Sequence, residues 1–148
     1  MSKKNEEYIL SIDGDHQLYL LEWMMAEDRE VTIGKLGSFL FPKGIYLYVG
    51  SARKNIQARV TRHLAKEKKK RWHMDYLRSY IEPVKAVTFP LHRGECSLKD
   101  FVEKNFQGHT PIKGFGSSDC KCSSHLIMLP TTMTATPDQL RERWEKWA

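Results

Sequence analysis

Residues 41–52 read FPKGIYLYVGSA, and residues 59–64 read RVTRHL. The run Gly44–Gly50 is rich in aromatic and β-branched residues and is bounded by glycines, the composition of a strand. Ile56, Val60 and Leu64 follow at i, i+4 and i+8, one apolar helical face. Asn55 is the candidate cap, and the helix is expected to run to about Lys70. The unit is therefore strand then helix. Arg59 and His63, four apart, share a helix face just beyond the strand end at Tyr48-Val49-Gly50.

Toward the N-terminus, Tyr8–Ile12 and Gln17–Trp23 read as strands around an Asp13-Gly14-Asp15 turn. Residues 26–30 read as a loop, and Val31–Ile33 and Ser38–Phe41 as a second hairpin around Gly34 and Gly37. Toward the C-terminus, Trp72–Tyr80 reads as a short helix stopped by Pro83, and Val84–Phe89 as a strand. A helix is expected over Glu95–Asn105, a Gly/Ser-rich loop over Gly108–Ser118, and a short strand over His125–Leu129. Thr136-Pro137-Asp138 opens a last helix to Trp147, with Pro at its first position. Alternation of strands and helices predicts a small sheet covered by helices.

Composition bounds the function. The chain has 148 residues, the scale of one domain at roughly 100–200 residues each. A hydrophobic fraction of 41% excludes a disordered chain. No apolar run approaches the roughly 20 residues of a membrane span, so no membrane partner is expected. The first ten residues carry no secretory signal, and three cysteines, two of them in C-x-C, make no disulfide framework, so a reducing cytoplasm is the expected location. Lys+Arg number 24 against 18 Asp+Glu, a net charge of +6. Most of that excess lies in one segment, with Arg53, Lys54, Arg59 and Arg62 preceding the run Lys66, Lys68, Lys69, Lys70 and Arg71. It reads either as a solvated helix end or as a phosphate-contacting face.

Taken together, FPKGIYLYVGSA, RVTRHL, WHMDYL (72–77) and PIKGFGSSDCKCSSHL (111–126) resemble the GIY-YIG nuclease superfamily, and within it the branch catalogued as domain of unknown function 123. The resemblance spans about Gln17 to Leu129. It implies an α+β fold, a small and mainly antiparallel sheet flanked by helices, as a single domain over 1–148 with a C-terminal helix at about 137–147. Gly44-Ile45-Tyr46 spells the superfamily's first motif but overlaps the second. The better match is Gln17-Leu18-Tyr19, on a strand that should pair with the Tyr48 strand. The hairpin at 31–41 then fills an unusually long spacer before the YVG strand.

The activity implied is metal-dependent endonucleolytic hydrolysis of DNA. By resemblance Tyr19 takes a proton, Tyr48 positions water or phosphate, and Glu95 holds the divalent ion, Mg²⁺ or Mn²⁺. The chemistry suits these types. A carboxylate holds a hard cation, and an arginine such as Arg59 forks onto phosphate oxygens as charge grows. A tyrosine is a poor base unless cations lower its pKa, which Arg59 and a metal would do. His63 can bond to a tyrosine hydroxyl or relay its proton. Ser97 and Asp100 fit a capping-box-like pattern that would leave Glu95 just outside its helix, with Glu103 as a second candidate carboxylate. The expected nucleic-acid face comprises Ser51, Arg53, Lys54, Arg62, Lys66, Lys68, Lys69, Lys70, Arg71 and His73. Trp72 and Tyr76 are expected to pack as core, and Asp75 to be structural.

Many superfamily members place an asparagine near the site. Residues 111–120 have none, leaving Ser117, Ser118 or Asp119 as stand-ins. A catalytically inactive nucleic-acid-binding module is the alternative function, and a protein-interaction domain with a merely solubilising basic face is the third. Cys120, Cys122 and His125 are candidate zinc ligands, with Asp119 and His109 as possible additions. C-x-C is tighter than the usual C-x₂₋₄-C spacing, and small residues packing a tight loop explain it equally.

Overall fold

The computed structural model describes residues 8–116 and 124–147. Seven strands and four helices follow in the order β1 (Ile9–Ser11), β2 (Leu18–Met25), β3 (Arg29–Ile33), β4 (Gly37–Phe41), β5 (Gly44–Ser51), α1 (Ile56–Leu64), α2 (His73–Leu77), β6 (Glu82–Phe89), α3 (Glu95–Asn105), β7 (Leu126–Leu129) and α4 (Pro137–Glu145). The main sheet has the order β1-β6-β2-β5-β7. All its neighbours are antiparallel except β1 with β6. β3 and β4 form a separate hairpin, the inserted one. The α+β architecture read from the sequence is the one observed. No helix among the described residues is long and apolar enough to cross a membrane.

Both faces of the sheet are covered, so β2 is buried almost throughout. Its alternation divides two cores. Tyr19, Leu21 and Trp23 pack with Ile56 and Val60 of α1, Met74 and Leu77 of α2, and the β3–β4 hairpin. Leu18 and Leu20 pack with Leu98, Phe101 and Val102 of α3 and with Leu140 and Trp144 of α4. On that second face the buried Glu22 accepts bonds from the Thr132 hydroxyl (2.6 Å) and the Met133 amide (3.2 Å), fixing the connection from β7 to α4.

Three local expectations are corrected. β1 does not pair with β2. It lies parallel to β6, because both edges of β2 are taken and Thr88 of β6 captures the intervening turn: its Oγ1 accepts from the Asp13 amide at 2.8 Å and bonds the His16 ring at 2.9 Å. α1 stops at Leu64 rather than near Lys70. The carbonyls left open by its last turn are met from outside, where Lys68 Nζ donates to Arg62 and His63 (2.8 and 2.9 Å) and Arg78 donates to Leu64 (3.0 Å). Continuing the helix would instead have stacked five like charges. Asn55 does not cap with its side chain. It adopts the left-handed conformation at φ 58° and offers its carbonyl to the Arg59 amide.

α4 starts as read, with Thr136 and Gln139 in a capping box and Pro137 in the first turn, and ends at Glu145, two residues short of Trp147. Trp144 is fully buried, donates to the Pro90 carbonyl at 3.0 Å, and packs edge-on against Phe89 and Phe101. We expect Trp144→Ala to cost about 3–5 kcal/mol, the scale for removing a buried indole, measured by urea unfolding.

Candidate active site

The antiparallel register of β2 and β5 sets Tyr19 opposite Gly50 and Leu21 opposite Tyr48. Tyr19 and Tyr48 thus come from neighbouring paired strands and share one face. The Tyr19 hydroxyl lies where a side chain at Gly50 would be, in the space of its Cβ. Gly116, at φ +71°, yields in the same way to the Tyr48 hydroxyl, 2.7 Å from its Cβ position. Tyr46 points to the same face from further along β5 but bonds the Pro42 carbonyl, outside the site.

His63, on the last turn of α1, reaches the Tyr19 hydroxyl at 2.9 Å through Nε2. Its ring also meets Tyr48, centroids 5.4 Å apart. Ser51 ties two further groups together. Its carbonyl accepts from Arg59 Nη1 at 3.1 Å, and its hydroxyl donates to Glu95 Oε2 at 2.8 Å. Glu95 is the first residue of α3, whose first amide bonds run to the Gly94 carbonyl, so no Ser97–Asp100 box excludes it from the helix. These side chains line one cavity of about 310 Å³ with Arg71, Trp72, His73, Gly116 and His125. The five expected chemical residues Tyr19, Tyr48, Arg59, His63 and Glu95 are brought together. Glu103 is not among them. It pairs with Lys99 at 3.1 Å, two turns further along α3.

Burial sets the electrostatics. It pushes the Tyr19 phenol well up, against the opposing pull of the Arg59 guanidinium. Tyr48 is raised likewise, by burial first and by Tyr19 next. The expectation that cations would leave Tyr19 with a lowered pKa is therefore corrected for the protein alone: Arg59 acts in that direction, and desolvation outweighs it. His63 is depressed to about 3, chiefly by burial, with Lys68 adding to it. Its imidazole is neutral at pH 7, and Nδ1 is buried with no hydrogen-bond partner among the described residues. An orphaned lone pair costs less than an orphaned N–H, which favours the tautomer with the proton on Nε2 donating to the Tyr19 oxygen. The phenolic proton is then directed to the cavity.

The basic segment divides. Arg62 forks onto Asp75 (3.2 and 3.1 Å) and donates to the Lys69 carbonyl. Lys68 is buried beside Asp75 at 3.4 Å, so it is a structural cation and not part of a phosphate face. Lys66 lies 3.5 Å from Glu82. Asp75 is structural, as expected. It also accepts from the Arg71 and Trp72 amides at the start of α2, and these bonds with Arg62 hold its carboxyl below the usual range despite burial. Ser51 holds Arg59 and Glu95 rather than standing open. Arg53, Lys54, Lys69, Lys70 and Arg71 are exposed. Lys54 and Arg62 border a second groove of about 300 Å³ that shares Arg59, Arg71 and Trp72 with the cavity. His73 Nδ1 accepts from the Gly116 amide at 2.8 Å and so holds the loop that covers Tyr48.

Trp72 is not core. Half-buried, it lies under the guanidinium groups of Arg62 (4.3 Å), Arg59 (4.9 Å) and Arg71 (5.8 Å), with the His63 ring 4.9 Å away. The i, i+4 spacing with Tyr76 is equally consistent with this cation stack. Tyr76, also half-buried, packs on the first core. His125 is the residue whose placement the pattern missed. It sits in the cavity wall with Nε2 3.9 Å from Glu95 Oε1. Cys120 and Cys122 lie outside the described residues, as do Ser117, Ser118 and Asp119. His109 is exposed, bridged to Met128 through its backbone. Cys96, at the start of α3, is disulfide-bonded. Among the described residues no group of three or more His, Cys, Asp or Glu could hold a metal ion.

A family described as domain of unknown function DUF123 matches residues 18–146. No curated protein and no solved structure matches the chain.

Two predictions follow from this geometry. Gly50→Ala must displace the Tyr19 ring, so the variant is expected to stay folded by circular dichroism while the Tyr19–His63 bond, followed by the His63 ring signals in NMR, is lost. The second concerns pH. His63 takes up its proton near 6.5 when unfolded and near 3 when folded. The unfolded state therefore binds more protons between those values. His63 stability is complete above pH 6.5 and declines by about 1.4 kcal/mol per pH unit as pH falls toward 3. Urea unfolding from pH 4 to 7 should show a shallower slope for His63→Gln than for the natural protein.

Proposed function

The chain belongs to the DUF123 family, a GIY-YIG-like branch with a nuclease-like fold, and on that premise we propose that it is a metal-dependent endonuclease hydrolysing phosphodiester bonds in DNA. The observation that carries the reading is the meeting of Tyr19, Arg59 and Glu95, from β2, α1 and α3, in one cavity. A structural tyrosine, a solvated arginine and a helix-starting glutamate have no reason to converge.

The donor set fits a hard divalent cation. Glu95 offers carboxylate oxygens to the cavity, and the Ser51 hydroxyl orients one of them. Mg²⁺ or Mn²⁺ needs few protein ligands, because it keeps waters and takes phosphate oxygens. When bound, such an ion stabilises charge on the phosphate and on the leaving oxygen. Arg59, anchored on the Ser51 carbonyl, is placed to bind the phosphate oxygens. Tyr19 takes the proton of the attacking water as its phenolate, which the His63 Nε2 proton and Arg59 stabilise. Tyr48 positions the water or phosphate from the adjoining strand. The new P–O bond forms from the water oxygen as the bond to the leaving oxygen breaks. The exposed cations Lys54, Lys69, Lys70 and Arg71 extend the path for flanking phosphates.

The test is cleavage of labelled single-stranded, duplex and branched DNA and RNA with Mg²⁺ or Mn²⁺ against EDTA. We expect metal-dependent products that vanish in Glu95→Ala. Arg59→Ala should lower the rate by about 10²–10³, and Tyr19→Phe by about 10²–10⁴. Because burial raises the Tyr19 pKa, the rate should climb with pH from neutral into the alkaline range. No cleavage by the natural protein, with salt-sensitive binding kept, would leave the nucleic-acid-binding module.

A further inference from the structure

His125 is the cavity residue without a part in that reading. Its backbone is held on both sides, the amide donating to the Phe115 carbonyl at 2.8 Å and the carbonyl accepting from the Val49 amide at 3.2 Å. That pairing extends β7 by one residue beside β5 and sets the ring edge-on to Tyr48, centroids 6.3 Å apart. The residue is 4% exposed, so its ring is placed by packing rather than by solvent.

Glu95 faces it with a defined oxygen. Oε2 is engaged by the Ser51 hydroxyl at 2.8 Å, which turns Oε1 toward His125 Nε2 at 3.9 Å. This separation exceeds a hydrogen bond. It lies a few tenths of an ångström beyond the roughly 2.8–3.6 Å that separates neighbouring ligands held about 2.0–2.2 Å from one ion, so a small turn of either side chain brings both donors onto it.

We propose that His125 Nε2 and Glu95 Oε1 together form the protein side of the metal site, and that the imidazole makes the site favour a first-row transition ion over Mg²⁺. This rests on the reading of Glu95 as the metal carboxylate. Mg²⁺ takes oxygen ligands in a near-ideal octahedron and has little use for an imidazole nitrogen. Imidazole suits first-row transition ions such as Fe²⁺, Ni²⁺ and Zn²⁺, whereas carboxylate and water suit Mg²⁺ and Mn²⁺ alike. Mn²⁺, a transition ion that takes oxygen ligands as Mg²⁺ does, is therefore the probe that isolates the imidazole's contribution. A site built from Glu95 alone would not discriminate in this way.

The probe is Mn²⁺ without nucleic acid, titrated into the protein while the free-ion electron paramagnetic resonance signal is followed, with Mg²⁺ as competitor. We expect His125→Ala to weaken Mn²⁺ by about tenfold or more, the scale for losing a metal's protein partner, and to leave Mg²⁺ affinity unchanged. On the Mn²⁺-loaded natural protein, spin-echo modulation should show coupling to an imidazole ¹⁴N that disappears in His125→Gln. The second readout needs no truncated variant, so it decides even if His125→Ala fails to fold. No ¹⁴N coupling in the natural protein, or unchanged Mn²⁺ affinity in His125→Ala, would overturn the proposal while leaving Glu95 as a carboxylate site. Unchanged Mn²⁺ affinity in Glu95→Gln would overturn the metal assignment of Glu95 itself.

Discussion

A tyrosine hydroxyl occupying the space of a missing side chain is the contact on which the site depends. Tyr19 stands opposite Gly50 across β2 and β5, and its phenol fills the volume that a Cβ at residue 50 would take. Strand side chains alternate between faces, so a slip of one residue would turn Tyr19 toward α3 and α4. The register also places Ser51 one step beyond the contact. That residue anchors Arg59 through its carbonyl and Glu95 through its hydroxyl. One strand end thus organises groups from α1 and α3, and His63 closes the arrangement from the last turn of α1.

The surrounding charge is less available than its count suggests. Asp75 draws Arg62 and Lys68 inward, and a buried carboxylate needs such partners. It also holds the Arg71 and Trp72 amides just before α2, and with them Trp72, over which Arg59, Arg62 and Arg71 gather. Part of the basic segment is therefore a brace that fixes the cavity rim. Removing Asp75 would leave two cations partly buried and unpaired, so this brace is costly to loosen. The cations left to meet a phosphate are Arg59 and Arg71 at the cavity and Arg53, Lys54, Lys69 and Lys70 outside it.

What was legible in the chain was local periodicity and the strand-then-helix unit at 44–64, together with Tyr19 as the true partner of Tyr48. What was hidden depended on residues far away in sequence. The end of α1 is decided by Arg78 as well as Lys68, and the place of β1 by Thr88, 75 residues beyond Asp13. The i, i+4 spacing of Trp72 and Tyr76 does not tell what covers each: Tyr76 meets the first core, and guanidinium groups cover Trp72. His125 looked like a neighbour of Cys120 and Cys122 because those residues are close in sequence. Backbone bonds to Val49 and Phe115 set it beside Glu95, a neighbour that sequence distance hid.

The most direct measurement is a crystal structure of the Glu95→Gln protein bound to a short DNA oligonucleotide. The account predicts one backbone phosphate inside the cavity, within hydrogen-bond reach of Arg59 and facing the Tyr19 hydroxyl. An oligonucleotide held only along Lys69 and Lys70, with no phosphate at Tyr19 and Arg59, would contradict it.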